Sequence, residues 1–152
     1  MKKFYFVVLF FTSFLFPQEM KVSFETGDPE INQHLQEVNA YAKAEYEFFK
    51  NDLSLKFGIS KRDIDVYVRD NKVRPGDLYY ACVLSNVTNK RVNDVIDLYK
   101  EKKAWGVVAQ ELGIKPGSKE FHTFKGKSIS DIGKVKSKHT DNTRGTKPKG
   151  KK

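Results

Sequence analysis

The sequence contains few of the residues that form disulfides or bind transition metals. Its 152 residues include one cysteine, Cys82, and three histidines, His34, His122 and His139. A single cysteine excludes a disulfide framework and a cysteine-based zinc site, and the histidines lie far apart with no HxxxH spacing. We therefore expect neither a metal nor a cofactor. Because Cys82 is flanked by apolar residues, we interpret it as a small apolar residue of the core.

Motifs of known catalytic sites are missing as well. The sequence has no glycine-rich phosphate loop, no Gly-x-Ser-x-Gly nucleophile motif and no pair of carboxylates spaced for acid–base chemistry. We therefore expect a protein that is not an enzyme. The length is sufficient for one domain with its own core and excludes a multidomain enzyme.

Long apolar runs are confined to the N-terminus. Two lysines after Met1 precede residues 4–16, which carry no charge. This run is shorter than the roughly 20 residues of a membrane-spanning helix, and its proportions are those of a secretory signal peptide. We predict a signal peptide over residues 1–18 and an exported protein, periplasmic or secreted, with no integral membrane domain in the mature chain. No Ala-x-Ala motif precedes Glu19, so an uncleaved membrane tether stays open as an alternative.

Charge is distributed unevenly along the chain, whose formal net charge is +9. Residues 126–152 hold nine Lys and Arg residues against two acidic ones, whereas residues 4–125 hold 17 of each sign. Beyond Val135 the chain has no large apolar side chain, so this end cannot bury enough surface to offset the entropy lost on ordering. The sequence predicts a neutral helical domain over residues 19–125 and a disordered, lysine-rich tail over residues 126–152.

The tail has two interpretations, and the sequence leaves both open. A flexible cationic chain can bind an anionic polymer or surface, such as nucleic acid, phospholipid head groups, lipopolysaccharide or teichoic-type glycans. It can equally be a solubilising appendage with no specific role. The candidate anion-binding residues of the tail are Lys134, Lys136, Lys138, Arg144, Lys147, Lys149, Lys151 and Lys152.

Apolar residues between the signal and the tail recur at helical spacing. Asp28 followed by Pro29 is typical of a helix start. Apolar side chains then recur every three or four residues from Ile31 to Leu53, which predicts one long first helix that ends at Gly58. We expect an all-α fold, with five or six short helices in one small orthogonal bundle.

Shorter helices are predicted after the first. Ser60 is a candidate cap for the second helix, and Pro75 opens a third helix whose apolar character on every side places it at the centre of the domain. Thr88 is a candidate cap for a fourth helix. A fifth is predicted over residues 104–112, with Gly113 as its stop signal.

A weak internal repeat relates two predicted helix pairs. Residues 63–69 (DIDVYVR) align with residues 94–100 (DVIDLYK) at an offset of 31, and Pro75-Gly76 aligns with Trp105-Gly106 at an offset of 30. Each unit would be a helix, a tight basic turn and a second helix, with one residue deleted from the turn of the second unit. The fold contains either two pseudo-repeated helix hairpins after the first helix or two unrelated hairpins with similar caps.

The most distinctive segment is residues 98–124, LYKEKKAWGVVAQELGIKPGSKEFHTF. It resembles a C-terminal block of small exported bacterial proteins of unassigned function. The matching residues are Trp105, Gly106, Val108, Ala109, Leu112, Gly113, Ile114, Lys115, Pro116, Gly117, Ser118, Phe121 and His122. The resemblance implies membership of that family and export, and it implies no chemistry. Such proteins often have glycine before the tryptophan; Ala104 in this position predicts helical backbone there.

The same segment contains a candidate surface for a protein partner. Ser118 can cap a last helical turn that presents aromatic side chains. A contiguous patch formed by Trp105, Phe121, His122 and Phe124 would bind such a partner. A lone tryptophan beside a glycine is, however, more typical of a core anchor than of a ligand-stacking residue, and we favour the core position for Trp105.

Residues 107–114 also resemble the first helix and glycine turn of a helix-turn-helix motif. In that geometry the next helix would enter the major groove of DNA, with Lys119, His122, Lys125 and Lys127 meeting phosphates or bases. That helix contains no Arg, Asn or Gln between Ser118 and Lys127, so it would read bases poorly. Nucleic-acid binding through residues 104–125 and the basic tail is therefore the alternative hypothesis.

The main hypothesis combines the signal peptide, the segregated charge and the missing catalytic motifs. We expect an exported, monomeric, non-enzymatic helical module of the bacterial cell envelope, with a binding or structural role. Its cationic tail would contact anionic polymers or membrane surfaces, and a protein partner is a further option.

Overall fold

The computed structural model describes residues 23–126 of the chain. The predicted signal peptide, residues 1–18, and the predicted tail beyond residue 126 lie outside the described residues. Within residues 23–126 every regular element is helical, so the expectation of a small all-α bundle is confirmed. The elements are α1 (Pro29–Ala44), α2 (Tyr46–Phe57), α3 (Lys61–Asp65) with a π-helical turn after it (Val66–Asp70), α4 (Pro75–Thr88), α5 (Val92–Lys102), α6 (Trp105–Glu111) and α7 (residues 119–126).

The start of α1 follows the sequence signal. The Asp28 side chain accepts hydrogen bonds from the backbone N–H groups of Glu30 and Ile31 at 2.9 and 3.1 Å, and Pro29 occupies the first turn, where no N–H partner is needed. One face of the helix is buried along its length. The buried residues are Ile31, Leu35, Val38 and Ala42, at the predicted spacing.

The prediction of one long first helix is wrong, because the chain bends at Glu45. This residue leaves the helical region, with φ −139° and ψ 61°, although no proline or glycine marks the position. The Tyr41 hydroxyl donates to Asp52 Oδ2 at 2.9 Å. In a straight helix, Tyr41 and Asp52, which are 11 positions apart in sequence, would be separated by about 16 Å along the axis, so this hydrogen bond could not form. The bend therefore turns α2 back, where Phe49 and Leu53 reach the core and α2 contacts α3 and α4.

Helix α4 forms the centre of the described domain. Every residue from Gly76 to Leu84 is buried, and α4 contacts α1, α2, the π-helical turn and α5. The prediction of a central third helix is confirmed. The side chain of Cys82 is 1 % exposed and belongs to this core, as expected for a small apolar residue.

Two local predictions after α4 are wrong. Thr88 does not cap the fourth helix: it belongs to the last turn of α4, and its hydroxyl donates to the Leu84 carbonyl at 2.7 Å. A threonine can bond back to the residue four positions earlier as readily as it can cap the next helix. Ala104, for which helical backbone was predicted, is extended, with φ −135° and ψ 119°. The residue before it, Lys103, has left-handed backbone, with φ 62°.

The two helix pairs of the predicted repeat have similar turns. Lys72 and Lys103, 31 residues apart, both adopt left-handed backbone, with φ 56° and 62°. The second helices begin at Pro75 and Trp105, 30 residues apart, so the additional residue of the first pair lies in its connecting turn. Among residues 23–126, none of the helices combines the length and apolar character needed to cross a membrane.

Candidate functional site

Trp105, the most distinctive residue of the C-terminal block, lies in the core. Its side chain is 0 % exposed, and its indole N–H donates to Asp77 Oδ1 at 2.7 Å. The indole stacks on the Tyr99 ring, with centroids 4.1 Å apart and planes inclined by 4°. The Tyr80 ring contacts it edge-on at 5.0 Å. These contacts make Trp105 a core anchor with a satisfied N–H group, as favoured from the sequence.

Asp77 is the buried acceptor at the centre of this cluster. The residue is 3 % exposed. Its carboxylate accepts from Arg74 Nε and Nη2 at 2.5 and 3.0 Å, in addition to the Trp105 N–H. Arg74 Nη2 also donates to the Tyr99 hydroxyl at 3.1 Å, and its guanidinium lies 4.4 Å from the centre of the Phe24 ring. Burial, with the charge of Asp77, raises the pKa of Tyr99.

These polar groups bind one another and hold the helices together. The carboxylate receives three donors and a compensating positive charge, which is what a buried acid requires. The sequence reasoning missed Asp77. The available signal was an acidic residue inside an otherwise apolar helix, three residues after Arg74.

Gly106, the second residue of the Trp-Gly pair, contacts the N-terminal residues of the described domain. Residues 23–28, which we call the N-terminal strap, run across the first turns of α4 and α6. The Gly106 N–H donates to the Glu25 carbonyl at 2.8 Å. A Cβ on Gly106 would lie 3.0 Å from the Thr26 carbonyl oxygen. One on Gly76 would lie 2.7 Å from the Leu35 carbonyl oxygen and 2.9 Å from the Phe24 ring. Gly106 therefore makes room for the strap, and Gly76 makes room for both α1 and the strap.

The candidate partner surface is divided between core and surface. Phe124 is 0 % exposed and packs edge-on against Tyr80 at 5.2 Å, and Trp105 is buried as described above. Phe121 is half-buried and His122 is exposed. The proposed patch is therefore wrong for Trp105 and Phe124, because packing against α4 removes both side chains from solvent.

Helix α7 is fixed to the start of α1. Ser118 Oγ accepts from the Phe121 N–H at 3.1 Å and caps the helix as predicted. At the other end, Lys125 Nζ lies 2.8 Å from both Asp28 Oδ2 and Glu30 Oε2. Burial alone would raise the pKa of Asp28, but hydrogen bonds from Lys125 and from the backbone, with the Lys125 charge, leave this pKa below its usual value.

The geometry of the helix-turn-helix-like segment differs from that of a DNA reader. Residues 112–118 separate α6 from α7, whereas the motif uses a turn of about three or four residues. Of the residues expected to meet DNA, Lys119 and His122 are exposed, and Lys125 is paired with Asp28. Lys127 lies outside the described residues.

The sequence predicts a set of anion-binding residues in the tail. All of them lie outside residues 23–126, which the structure describes: Lys134, Lys136, Lys138, Arg144, Lys147, Lys149, Lys151 and Lys152.

A surface cleft that the sequence did not indicate has a volume of about 450 Å³. It lies between the end of α2, the π-helical turn and the start of α5. The Tyr67 hydroxyl donates to Asn93 Oδ1, and both residues line the cleft. Its wall includes Phe57, Val66 and Arg91. The cleft depends on the π-helical turn, which has no local sequence signature.

Residues 23–126 contain one thiol, Cys82, and two imidazoles, His34 and His122. Burial raises the pKa of Cys82 to about 12, so its thiol is protonated and unreactive at neutral pH. Among residues 23–126 no three His, Cys, Asp or Glu side chains are grouped so that they could hold a metal ion. His34 Nδ1 lies 3.7 Å from Glu37 Oε2 on α1, while His122 is on α7.

Comparison with known proteins adds no identification. No family model, no curated protein and no solved structure matches the chain. The resemblance of residues 98–124 to small exported bacterial proteins therefore stays a prediction, and the function has to be argued from the residues themselves.

Proposed function

We propose that this chain is an exported, non-enzymatic helical module of the cell envelope, in which a neutral domain carries a cationic tail for anionic polymers or membrane surfaces. The observation that carries the proposal is the separation of charge. Residues 23–126 hold 16 basic and 16 acidic side chains, whereas residues 127–152 hold nine basic and two acidic ones. A concentrated positive charge attracts polyanions, and a balanced domain does not.

Ion pairs within the domain support this division. Lys50 lies 3.1 Å from Asp65, Lys102 lies 2.9 Å from Glu111, and Lys125 is paired with Asp28. Such pairs neutralise cations that could otherwise contact an external anion. The unbalanced positive charge therefore belongs to the tail.

The roles of the buried polar groups support a non-enzymatic module. The Asp77 carboxylate is occupied by Arg74 and Trp105, and the Cys82 thiol is buried and protonated. Trp105 and Gly106, the most distinctive pair of the C-terminal block, are accounted for by core packing and by the strap. A binding or structural role is compatible with such a scaffold.

Export is tested by locating the protein in cells. Cells expressing the full chain are fractionated, and the protein is detected in cytoplasm, envelope and medium beside a marker for each fraction. We expect the protein in the envelope or the medium with the apolar run removed. A cytoplasmic protein that begins at Met1 would contradict the proposal.

Polymer binding is tested with two chains, residues 19–152 and residues 19–126. The second chain keeps α7, so Phe124 stays in the core and Lys125 keeps its carboxylates. Each is titrated with phosphatidylglycerol vesicles, with neutral phosphatidylcholine vesicles and with duplex DNA over a salt series. We expect salt-sensitive binding to both polyanions that disappears with the tail. Sequence-preferring DNA binding by the shorter chain would instead support the nucleic-acid alternative.

A further inference from the structure

The N-terminal strap is held tightly although it begins only seven residues after the predicted apolar run ends at Phe16. Phe24 is 1 % exposed, and its ring lies against Gly76 and the Arg74 guanidinium. Thr26 is 5 % exposed, and its hydroxyl hydrogen-bonds to the Asp28 carbonyl and to Asn32 Oδ1 at 3.0 and 2.9 Å. Two residues of the strap, Phe24 and Thr26, are therefore buried with the core, while Ser23, Glu25 and Gly27 are exposed.

The two helix pairs share the contact that holds the strap. Gly76 and Gly106 occupy the second position of α4 and α6, and each contacts the strap, where a methyl group would press on it. A methyl group at Gly76 would also lie 2.7 Å from the Leu35 carbonyl oxygen of α1. Gly76 receives the Phe24 ring, and Gly106 receives the backbone of Thr26. Gly27, with φ 78°, then turns the chain into the cap of α1. The distinctive Trp-Gly pair thus depends on residues near the other end of the chain.

This arrangement limits where the chain can be processed. Resting on the export proposed above, we propose that the signal peptide is removed at a peptide bond between residues 17 and 23, and that trimming of the mature N-terminus stops at Phe24. Water adds across the hydrolysed bond, which leaves a carboxylate on the released peptide and an α-amino group on the mature chain. Peptidases need accessible, extended backbone, and the docked strap withholds it from residue 24 onward.

We also expect loss of the strap to lower the stability of the domain. The strap would then affect the folded domain itself as well as the access of peptidases to the chain. Removing a buried phenylalanine exposes the apolar surface of Gly76 and leaves a cavity in the core. A domain of about 100 residues loses 4–8 °C of melting temperature for each kcal/mol, so we expect a chain without Phe24 to melt at least about 10 °C lower. The strap therefore makes the stability of the domain depend on an intact mature N-terminus.

The first experiment trims the purified chain 19–152 with an aminopeptidase and follows the product by mass spectrometry. The native chain should stop losing residues at Ser23 or Phe24. The Phe24→Ala variant should be trimmed past Thr26, with Phe24→Leu as the milder variant if Phe24→Ala does not fold. Trimming of the native chain through Thr26 at the rate of the variant would overturn the proposal.

A second experiment tests the contact between the strap and Gly106 in the same chain. Gly106→Ala adds a methyl group against Thr26 but improves the helical propensity of α6. Its effect on melting temperature should be less favourable in the native chain than in the Phe24→Ala chain, by about 4–8 °C. Equal effects in both chains would show that the strap does not press on Gly106.

The third experiment determines the N-terminus of the protein recovered from cells. A first residue between 18 and 24 supports the limit, whereas a chain that begins at residue 25 or later overturns it. A cytoplasmic chain that begins at Met1 contradicts export itself, and processing with it. The trimming limit of the purified chain is measured separately, so the failure of one proposal is distinguishable from the failure of the other.

Discussion

Replacing Asp77 by asparagine tests whether the Arg74–Asp77–Trp105 cluster holds the domain together. Asparagine has the same shape but no charge, and it can accept from the Trp105 N–H only by turning its own NH₂ group toward Arg74. Breaking a fully buried ion pair costs about 3–5 kcal/mol. The Arg74 side chain is 31 % exposed, so water recovers part of this cost, and we expect a loss of about 2–3 kcal/mol.

The assay is urea unfolding of the mature chain, followed by circular dichroism. A loss of 2–3 kcal/mol corresponds to a fall in melting temperature of about 10–20 °C for a domain of this size. Asp97→Asn is the matched control, because Asp97 pairs with Lys100 on the exposed face of α5 and should change stability by less than about 0.5 kcal/mol. Trp105→Phe completes a double-mutant cycle, with an expected coupling to Asp77→Asn of about 1–2 kcal/mol. An Asp77→Asn variant as stable as Asp97→Asn would refute the role assigned to the cluster.

Three further predictions follow from single residues. Lys103→Gly should stabilise the domain by about 0.5–1 kcal/mol, because Lys103 has φ 62°, whereas Lys100→Gly inside α5 should destabilise it by a similar amount; urea unfolding that gives the same sign for both would contradict this. Cys82 should resist a thiol reagent at pH 8 in the native protein and react at the rate of unfolding, since its pKa is about 12; fast labelling without denaturant would oppose this. Asp28 has a lowered pKa in the folded state, so its contribution is present above about pH 4 and is lost as the pH falls through the folded value. Lys125→Gln should flatten the loss of stability as the pH falls below about 4, and an unchanged acid limb would exclude the pairing.

Local signals predicted the ends of several helices correctly. Asp28 and Ser118 cap α1 and α7, and Gly58 ends α2 with φ 67°, because each of these residues acts on backbone groups within four residues of itself. The apolar residues of α4 predicted its central position, because a helix without a polar face must be covered on all sides.

Tertiary contacts decided what the sequence pattern did not. The apolar spacing continues through Glu45, but packing of α2 against α4 bends the chain there. The aromatic residues of the C-terminal block were candidates for a surface because nothing nearby in sequence covers them. Trp105 is covered by Tyr80 and Tyr99, and the strap that reaches Gly106 begins more than 70 residues earlier. No local pattern carries that information.

The charge of the chain predicted a candidate binding segment without predicting its target. Nine basic residues in 127–152 favour contact with anions, yet each lysine offers a point charge that suits many polyanions. The helix-turn-helix likeness came from the spacing of α6 and its glycine stop. The seven-residue connection between α6 and α7 is a local feature that the sequence can indicate, whereas the pairing of Lys125 with Asp28 is a tertiary contact that it cannot.

The salt dependence of binding to phosphatidylglycerol vesicles tests the central claim most directly. A basic residue near an anionic membrane surface contributes about 1 kcal/mol at low salt. Removing residues 127–152 should therefore weaken binding at least about 100-fold at low salt, and the chain 19–152 should lose its affinity as the salt concentration rises. Equal binding by the chains 19–152 and 19–126 at every salt concentration would show that the tail is not the anion-binding part and would contradict the account.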